Sequence, residues 1–471
     1  MTPPQEQETS RARSLTTALS TRLSQLRDAP CTISGLRRLT GGASAETWSL
    51  TAATADDPAA ELILRRDAPG AEDPARMARE ADALDEAARV GVPVPRLLDR
   101  SPRVPSAEGA GLGPSYLLMT RVPGEALPRK LLRDEEFADV RLRLPYELGR
   151  VLARIHHRMD PARIPGLTAG DQLEQLRDTY DSIGDPLPVL ELAFRRLSER
   201  RPMADRDAVV HGDFRNGNVI VDRDGIRAVL DWELVHRGDP MEDLGWLCVR
   251  AWRFGAEAPV GGFGPRSELF RGYAEESGTT PDPEAVHWWE VYGTLRWAVL
   301  CGLQARRARQ RGAEDALELL AVGRRVAECE YDLLRLLGIL DPAPVPIAEA
   351  VSTADADLFG NPSAPELLTP VRELLTALSR EADPRSRHLG RIAANVLDTV
   401  SRELSLGPAA RARHVAALHR LGFDTERDLA LAIRHGSVCP HTDAAVADVM
   451  RFAAVARLSV ANPRYFDETT E

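Results

Sequence analysis

Between residues 31 and 121 the chain alternates apolar and polar positions in short stretches separated by Gly and Pro, the pattern of strands. LRRLTGGASAETWSL reads as strand, Gly turn, strand. ELILRR is a short buried strand, and PSYLLMTRVPG is another that breaks at Pro123-Gly124. Among them, DPARMAREADALDEAARVG has apolar residues at helical spacing, opened by Asp73 or Pro74 and closed by Gly91. Beyond residue 122 the helical period dominates. One apolar stripe (Leu144, Leu148, Val151, Leu152, Ile155) predicts a core helix that Pro145 starts or kinks. Long helices are predicted at 283–305 and 314–338. Two aliphatic runs in VVHGDFRNGNVIVDRDGIRAVLDWE (209–233) interrupt them as a hairpin with a turn at Asp222–Gly225. LDPAPVPIAEA reads as a Pro-rich linker, and 363–460 is helical again. The expected organisation is a helical extension at 1–30, a strand-rich unit at 31–121, a helix-rich unit at 122–340, a linker at 341–362 and a helical domain at 363–471. No internal repeat is evident.

Composition narrows the class. A chain of 471 residues with 43% hydrophobic and 28% charged positions is that of an ordinary globular protein with several domains. No apolar run reaches the roughly 20 residues that cross a bilayer, and the first residues carry no apolar secretion segment. A cytoplasmic protein without membrane association is expected. The net charge of −11 disfavours a nucleic-acid partner, because a phosphate backbone demands a basic surface. Cys31, Cys248, Cys301, Cys329 and Cys439 are scattered without a CxxC, against both a disulfide framework and a zinc site. Lys130 is the only lysine, so an Arg standing where a Lys is usual need not mean lost function.

The chemistry concentrates in the hairpin. Its short turn makes Asn218 and Asp231 neighbours, an amide oxygen beside a carboxylate, which suits a hard cation. Asp213 sits in the loop just before. Phosphoryl transfer needs such parts: positioning, charge neutralisation by Mg²⁺, and a group to orient the attacking hydroxyl.

The ordered elements His211-Gly212-Asp213 with Asn218, then Asp231-Trp232-Glu233, then Gly238-Asp239-Pro240 with Asp243-Leu244 resemble the family of aminoglycoside phosphotransferases and choline kinases, in its hydroxyacyl-CoA kinase-like branch. The resemblance covers roughly residues 31–340. It implies an α+β, two-lobed protein-kinase-like fold, with a β-rich N-lobe and a helical C-lobe, to which the helical pattern beyond 363 adds a C-terminal all-α domain. By the same resemblance Asp213 is the catalytic base, Asn218 and Asp231 hold Mg²⁺, and ATP is the phosphoryl donor. Asp243 braces the catalytic loop and His211 packs and hydrogen-bonds within it. Gly41, Gly42 and Ser44 stand at the nucleotide loop, followed by Glu46 and Thr47. The strand cation that holds the α/β-phosphates, paired with Glu80, is Arg65, with Arg66 as the alternate because adjacent strand residues face opposite ways. The backbone of Thr120 and Val122, under Met119, would meet the adenine edge at the interlobe hinge.

Trp289, Tyr292 and Arg296 share a helical face and are candidates for the acceptor site; an aromatic core stripe explains the same spacing. Adjacent His156 and His157 lack the spacing of a zinc helix, and Cys439 with His441 offers only two ligands. Glu233 and Asp239 either extend an acidic pocket or bond backbone. The segment 363–466 lies outside the kinase resemblance and shows no catalytic constellation. The expected function is ATP-dependent transfer to a hydroxyl of a small molecule, a hydroxyacyl-CoA or related hydroxy-metabolite. The alternatives are an aminoglycoside-type antibiotic kinase and, from another class, a nucleotide-binding pseudokinase scaffold.

Overall fold

Five strands make one antiparallel sheet in the first part of the chain, in the order β1 (Thr32–Leu39), β2 (Ala45–Ala53), β3 (Ala60–Asp67), β5 (Tyr116–Thr120), β4 (Leu97–Arg100). The computed structural model describes residues 4–39, 45–55, 58–68, 70–102, 111–204, 206–309, 312–340 and 363–467. Gly41, Gly42, Ser44 and the 341–362 linker lie outside the described residues. Helix α1 (Pro4–Arg27), longer than the sequence pattern suggested, covers one face of the sheet. Its Leu15, Leu19 and Leu23 pack on Trp48, Leu62, Leu64 and Tyr116. Helix α2 (Pro74–Arg89) covers the other. Asp73 caps it by accepting the N–H of Arg76 at 2.9 Å, Pro74 occupies its first turn, and Met77, Ala81 and Leu84 are buried. The two-residue period of β3 sends Leu62, Leu64 and Arg66 towards α1, and Arg65 towards α2.

The second lobe is helical: α3 (Pro128–Arg133), α4 (Ala138–Arg158), α5 (Gln172–Ile183), α6 (Pro188–Glu199), α7 (Met241–Cys248), α8 (Arg266–Ser277), α9 (Pro283–Ala308), α10 (Ala313–Gly323) and α11 (Val326–Leu336). Between α6 and α7 lie β6 (Ala208–Val210), paired with β9 (His236–Gly238), and the hairpin of β7 (Val219–Asp222) and β8 (Gly225–Val229). Helix α4 runs through Pro145 rather than starting at it. The hydrogen bond that a proline cannot make is outweighed by burial of its ring and of the stripe Leu144, Leu148, Leu152. Helices α4 and α8 touch backbone to backbone: a Cβ at Gly149 would lie 2.1 Å from Leu269 O, so no larger residue fits there. Beside this contact, Arg150, Arg154 and Arg158 of α4 converge on Glu276 of α8.

Helices α12 (Ala364–Arg380), α13 (Pro384–Arg420), α14 (Glu426–Arg434), α15 (Ala444–Ala461) and α16 (Arg464–Asp467) form the C-terminal all-α part. It shares a core with the second lobe. Leu429, Ile433, Val446 and Met450 belong to the same buried cluster as Phe194, Leu295 and Leu333. Two bidentate ion pairs cross the joint, Arg434 on buried Glu191 (2.6 and 3.0 Å) and Arg457 on buried Glu330 (2.7 and 2.8 Å). The whole is the two-lobed kinase-like fold with an added helical domain. Among the described residues no helix is long and apolar enough to cross a membrane.

Candidate active site

Strand β6 ends at Val210 and releases the loop His211-Gly212-Asp213, which is fastened from α7. The fully buried Asp243 accepts the N–H of His211 (2.8 Å) and Nε2–H of His156 (3.0 Å) on Oδ2, and the N–H of Gly212 (2.9 Å) on Oδ1. Burial alone would push this carboxyl up. The hydrogen bond and charge of His156 and the backbone donor of His211 together hold it below the usual carboxylate range. His211 accepts the N–H of Asp213 on Nδ1 (3.1 Å) and donates Nε2–H to Leu230 O (3.0 Å), so it needs its neutral form. Burial favours that form by lowering its pKa, against the carboxylates of Asp243, Asp213 and Asp231. Gly212 has φ +80°, and a Cβ there would sit 2.6 Å from Leu234 O.

Three donors orient the Asp213 carboxylate. Trp246 Nε1–H reaches Oδ1 at 2.8 Å, Arg215 Nε–H reaches it at 3.1 Å, and Asn218 Nδ2–H reaches Oδ2 at 2.7 Å. The side chain remains 14% exposed, enough for a hydroxyl to approach. Trp246 and Arg215 escaped sequence reasoning, although Arg215 sits inside the first motif and Trp246 two residues beyond the last. Arg215 lies over Trp252 (4.6 Å) and Trp252 packs on Trp246 (5.0 Å), which joins the two donors in one stack.

The hairpin brings Asn218 and the end of β8 together, with Leu230 N–H donating to Asn218 O at 2.8 Å. The next residue, Asp231, takes the left-handed conformation (φ 66°, ψ 63°), uncommon outside glycine. This turns its carboxylate to Arg65, whose Nη2–H donates to Asp231 Oδ1 at 2.9 Å.

Arg65 is held by three carboxylates: Glu80 (2.6 Å), Asp231 (2.9 Å) and Glu233 (2.8 Å). Arg76 ties the cluster together through Asp67, Glu233 (3.1 Å) and Glu80 (3.6 Å). Burial pushes the Glu80 carboxyl up to about 7 against the pull of Arg65 and Arg76, and the charges of Asp231 and Glu233 add to the push. Arg66 faces away and pairs with buried Glu46 (3.1 Å), which also takes Arg11 (2.9 Å). Of the two strand arginines, only Arg65 faces the cleft. Glu46, drawn from the nucleotide-loop pattern, is an anchor on the opposite face of the sheet.

At the hinge, Met119 is buried. Thr120 gives its N–H to Arg96 O (2.9 Å) and accepts Arg96 N–H on Oγ1 (3.0 Å). Among the described residues no backbone hydrogen bond engages the N–H of Val122.

The acceptor candidates divide. Trp289 and Tyr292 are buried in the core. Trp289 gives Nε1–H to Asp239 (2.9 Å), Tyr292 gives its hydroxyl to Gln172 O (3.3 Å), and both pack with Trp288 in the cluster shared with the C-terminal helices. Arg296 instead reaches the catalytic loop, donating to Gly212 O at 3.0 Å and lying over Trp246 at 4.7 Å. His156, fully buried, is the unexpected partner of Asp243. His157 is half-buried beside Tyr273 and Arg206.

A family model described as the phosphotransferase enzyme family matches residues 35–289. The chain belongs to this family. A domain of unknown function matches 380–465. Residues of this phosphotransferase are 29% identical over 200 positions to acyl-CoA dehydrogenase family member 10 of Mus musculus, covering 40% of this chain and 18% of that protein. They are 29% identical over 160 positions to viomycin phosphotransferase of Streptomyces vinaceus, covering 31% of this chain and 54% of that one. The chain thus spans less than two thirds of either relative. Similar solved structures include a choline/ethanolamine kinase family protein from Mesorhizobium loti, at TM-score 0.45 and 20% identity over 68% of this chain and 95% of that one. A macrolide 2'-phosphotransferase from Brachybacterium faecium aligns at TM-score 0.44 and 19% identity, over 65% and 97%.

The donor set of this family member fits Mg²⁺. With Asn218 Nδ2 committed to Asp213, its Oδ1 is the atom left to face a cation, and one Asp231 oxygen takes no hydrogen bond among the described residues. Amide and carboxylate oxygens are the donors a hard cation takes.

Proposed function

We propose that the protein transfers the γ-phosphate of Mg·ATP to a hydroxyl of a small molecule, with a hydroxyacyl-CoA or related hydroxy-metabolite as acceptor. The observation that carries this reading is the convergence of Asp213, Asn218 and Asp231 with the Arg65–Glu80 pair, from four separate stretches of chain. Asp213 accepts a hydrogen bond from the acceptor hydroxyl and takes its proton as the new O–P bond forms and the bond from the γ-phosphorus to the bridging oxygen breaks, releasing ADP. Trp246 and Arg215 hold that carboxylate in one orientation, so little reorganisation is needed at the moment of transfer. Asn218 and Asp231 hold Mg²⁺, which supplies charge neutralisation on the phosphates when bound. Arg65, kept in the cleft by Glu80, lies against the α/β-phosphates, where a guanidinium binds in place of the usual ammonium. The glycine pair Gly41-Gly42 with Ser44 would cover the phosphates, and the hinge around Met119 and Val122 would receive the adenine.

The acyl-CoA name of the mouse relative supports the acceptor class. The viomycin relative favours an antibiotic hydroxyl as the second reading. Acceptor-dependent ADP release, measured over hydroxyacyl-CoAs, simple hydroxy-metabolites and viomycin-type antibiotics, decides between them. An Asp213→Ala control should bind ATP and release no acceptor-dependent ADP. ATP binding with no turnover on any acceptor would favour a scaffold.

A further inference from the structure

A cavity of about 460 Å³ opens where the second lobe meets the C-terminal domain, between α10 and α11 on one side and α13 and the end of α15 on the other. Four arginines line it (Arg324, Arg325, Arg402, Arg464) against two carboxylates, Glu328 and Asp398, in a chain that is acidic as a whole. Both carboxylates are already engaged. Glu328 takes Arg325 Nε–H (2.9 Å) and Asn462 Nδ2–H (3.0 Å), and Asp398 faces Arg372 of α12 (3.5 Å). Arg324 pairs with Glu403 (2.5 Å).

Arg402 and Arg464 are left over. Among the described residues neither has a carboxylate within 4.0 Å. Arg402 donates to Val460 O (2.8 Å), Ala461 O (3.4 Å) and Thr399 Oγ1 (3.2 Å), all neutral. Burial holds its guanidinium below the usual arginine range, and the charge of Arg464 acts in the same direction, with Asp398 only partly offsetting. A partly buried cation such as Arg402 is costly unless an anion neutralises it, and Arg464, itself exposed, adds a second positive charge beside it. The rest of the wall is apolar, formed by Leu320, Ala321, Val396, Val400 and Pro463.

We propose that this interdomain cavity binds a small organic anion, a carboxylate or phosphate monoester held by Arg402 and Arg464, with an apolar tail against Leu320 and Val400. The volume falls within the range of about 300–1,000 Å³ typical of ligand sites, and such sites favour domain boundaries. The guanidinium fork matches either headgroup. The site is not cut off from the chemistry. Arg325 lies over Trp297 (5.4 Å), Trp297 packs on Trp252 (4.9 Å), and Arg215 beside Asp213 stacks on Trp252 (4.6 Å).

Titration calorimetry on the full chain with octanoate, hexyl phosphate and neutral hexanol tests this. Saturable one-to-one binding of an anion, and none of hexanol, is expected; whichever of octanoate and hexyl phosphate binds tighter identifies the headgroup. Arg464→Gln should raise Kd about tenfold, the size of one lost charged contact. Arg464 makes no ion pair among the described residues, so its loss leaves the fold undisturbed, and unfolding curves check Arg402→Gln, expected to weaken binding similarly. The Asp213→Ala variant should bind the anion like the wild type, which separates this site from the fate of the kinase reading. Absence of saturable binding by both anions, equal binding of hexanol, or unchanged affinity in Arg464→Gln would overturn the proposal.

Discussion

Asp243→Asn is the sharpest test of how the catalytic loop is held. The change keeps the shape of the side chain and swaps one acceptor oxygen for an NH₂. If the NH₂ stands where Oδ1 was, it faces the N–H of Gly212. If it stands where Oδ2 was, it faces the N–H of His211. In either rotamer one buried backbone donor of the loop loses its acceptor, and His156 can adapt its tautomer only on the Oδ2 side. A buried donor left unsatisfied costs about 1–3 kcal/mol, and the surviving bonds lose the charge that made them strong, so a loss of about 2–4 kcal/mol is expected.

That is survivable for a protein whose folding free energy is about 5–15 kcal/mol. The variant should therefore fold, unfold at lower urea, and present Asp213 poorly. A misplacement of about 1 Å at a reacting group costs on the order of 10²-fold, so kcat should fall by that order while the KM for ATP stays near the wild-type value. Urea unfolding followed by circular dichroism, with steady-state ADP release on the same samples, measures both. A variant within about 0.5 kcal/mol of wild type and with unchanged kcat would refute the account of Asp243 as the anchor of the loop.

Arg65→Ala should weaken ATP binding and also destabilise the N-lobe, because Glu80 would keep only its 3.6 Å contact with Arg76; Arg65→Lys should recover part of the affinity, and equal ATP affinity in Arg65→Ala would remove Arg65 from the site. Trp246→Phe removes the 2.8 Å donor to Asp213 and should lower kcat roughly tenfold, the worth of one charged hydrogen bond, with ATP affinity intact by fluorescence titration. The Arg154 hydrogen bond, helped by Arg150 and opposed by partial burial, lowers the Glu276 carboxyl to about 2. Its folded pKa lies below its unfolded one. The stability it contributes is present above about pH 4.5 and is lost as pH falls towards 2, a slope that Glu276→Gln should flatten in acid unfolding curves.

What the sequence exposed and what it hid follow the reach of each interaction. Asp213, Asn218 and Asp231 are local to one hairpin, whose turn residues and aliphatic runs announce that its ends meet. Strand alternation is a two-residue rule, so the sequence showed that Arg65 and Arg66 face opposite ways, while which of them faces the cleft depended on where α1 and α2 pack. The brace on the loop was half visible. Asp243 lies in a motif, but its partner His156 arrives from α4, 87 positions away, and no local pattern connects them. Trp289 and Tyr292 show why a helical face is ambiguous, since the spacing that would line a pocket also lines a core. Deciding between them required knowing that both rings lie in one buried cluster with residues of α14 and α15. The ion pairs of that joint span 243 and 127 positions, beyond any periodicity.

That joint bears on the protein's modularity. The family match stops at residue 289, inside α9, yet the partners of α9 come from both sides of that boundary. A chain ended at residue 340 would open the buried cluster that holds Phe194 and Leu333, take Arg457 from Glu330, and leave Glu191 with Arg177 but without Arg434. The boundary between the two matched segments is a border in sequence only. Moving the helical domain onto another chain would require the matching acids of α6 and α11 to move with it.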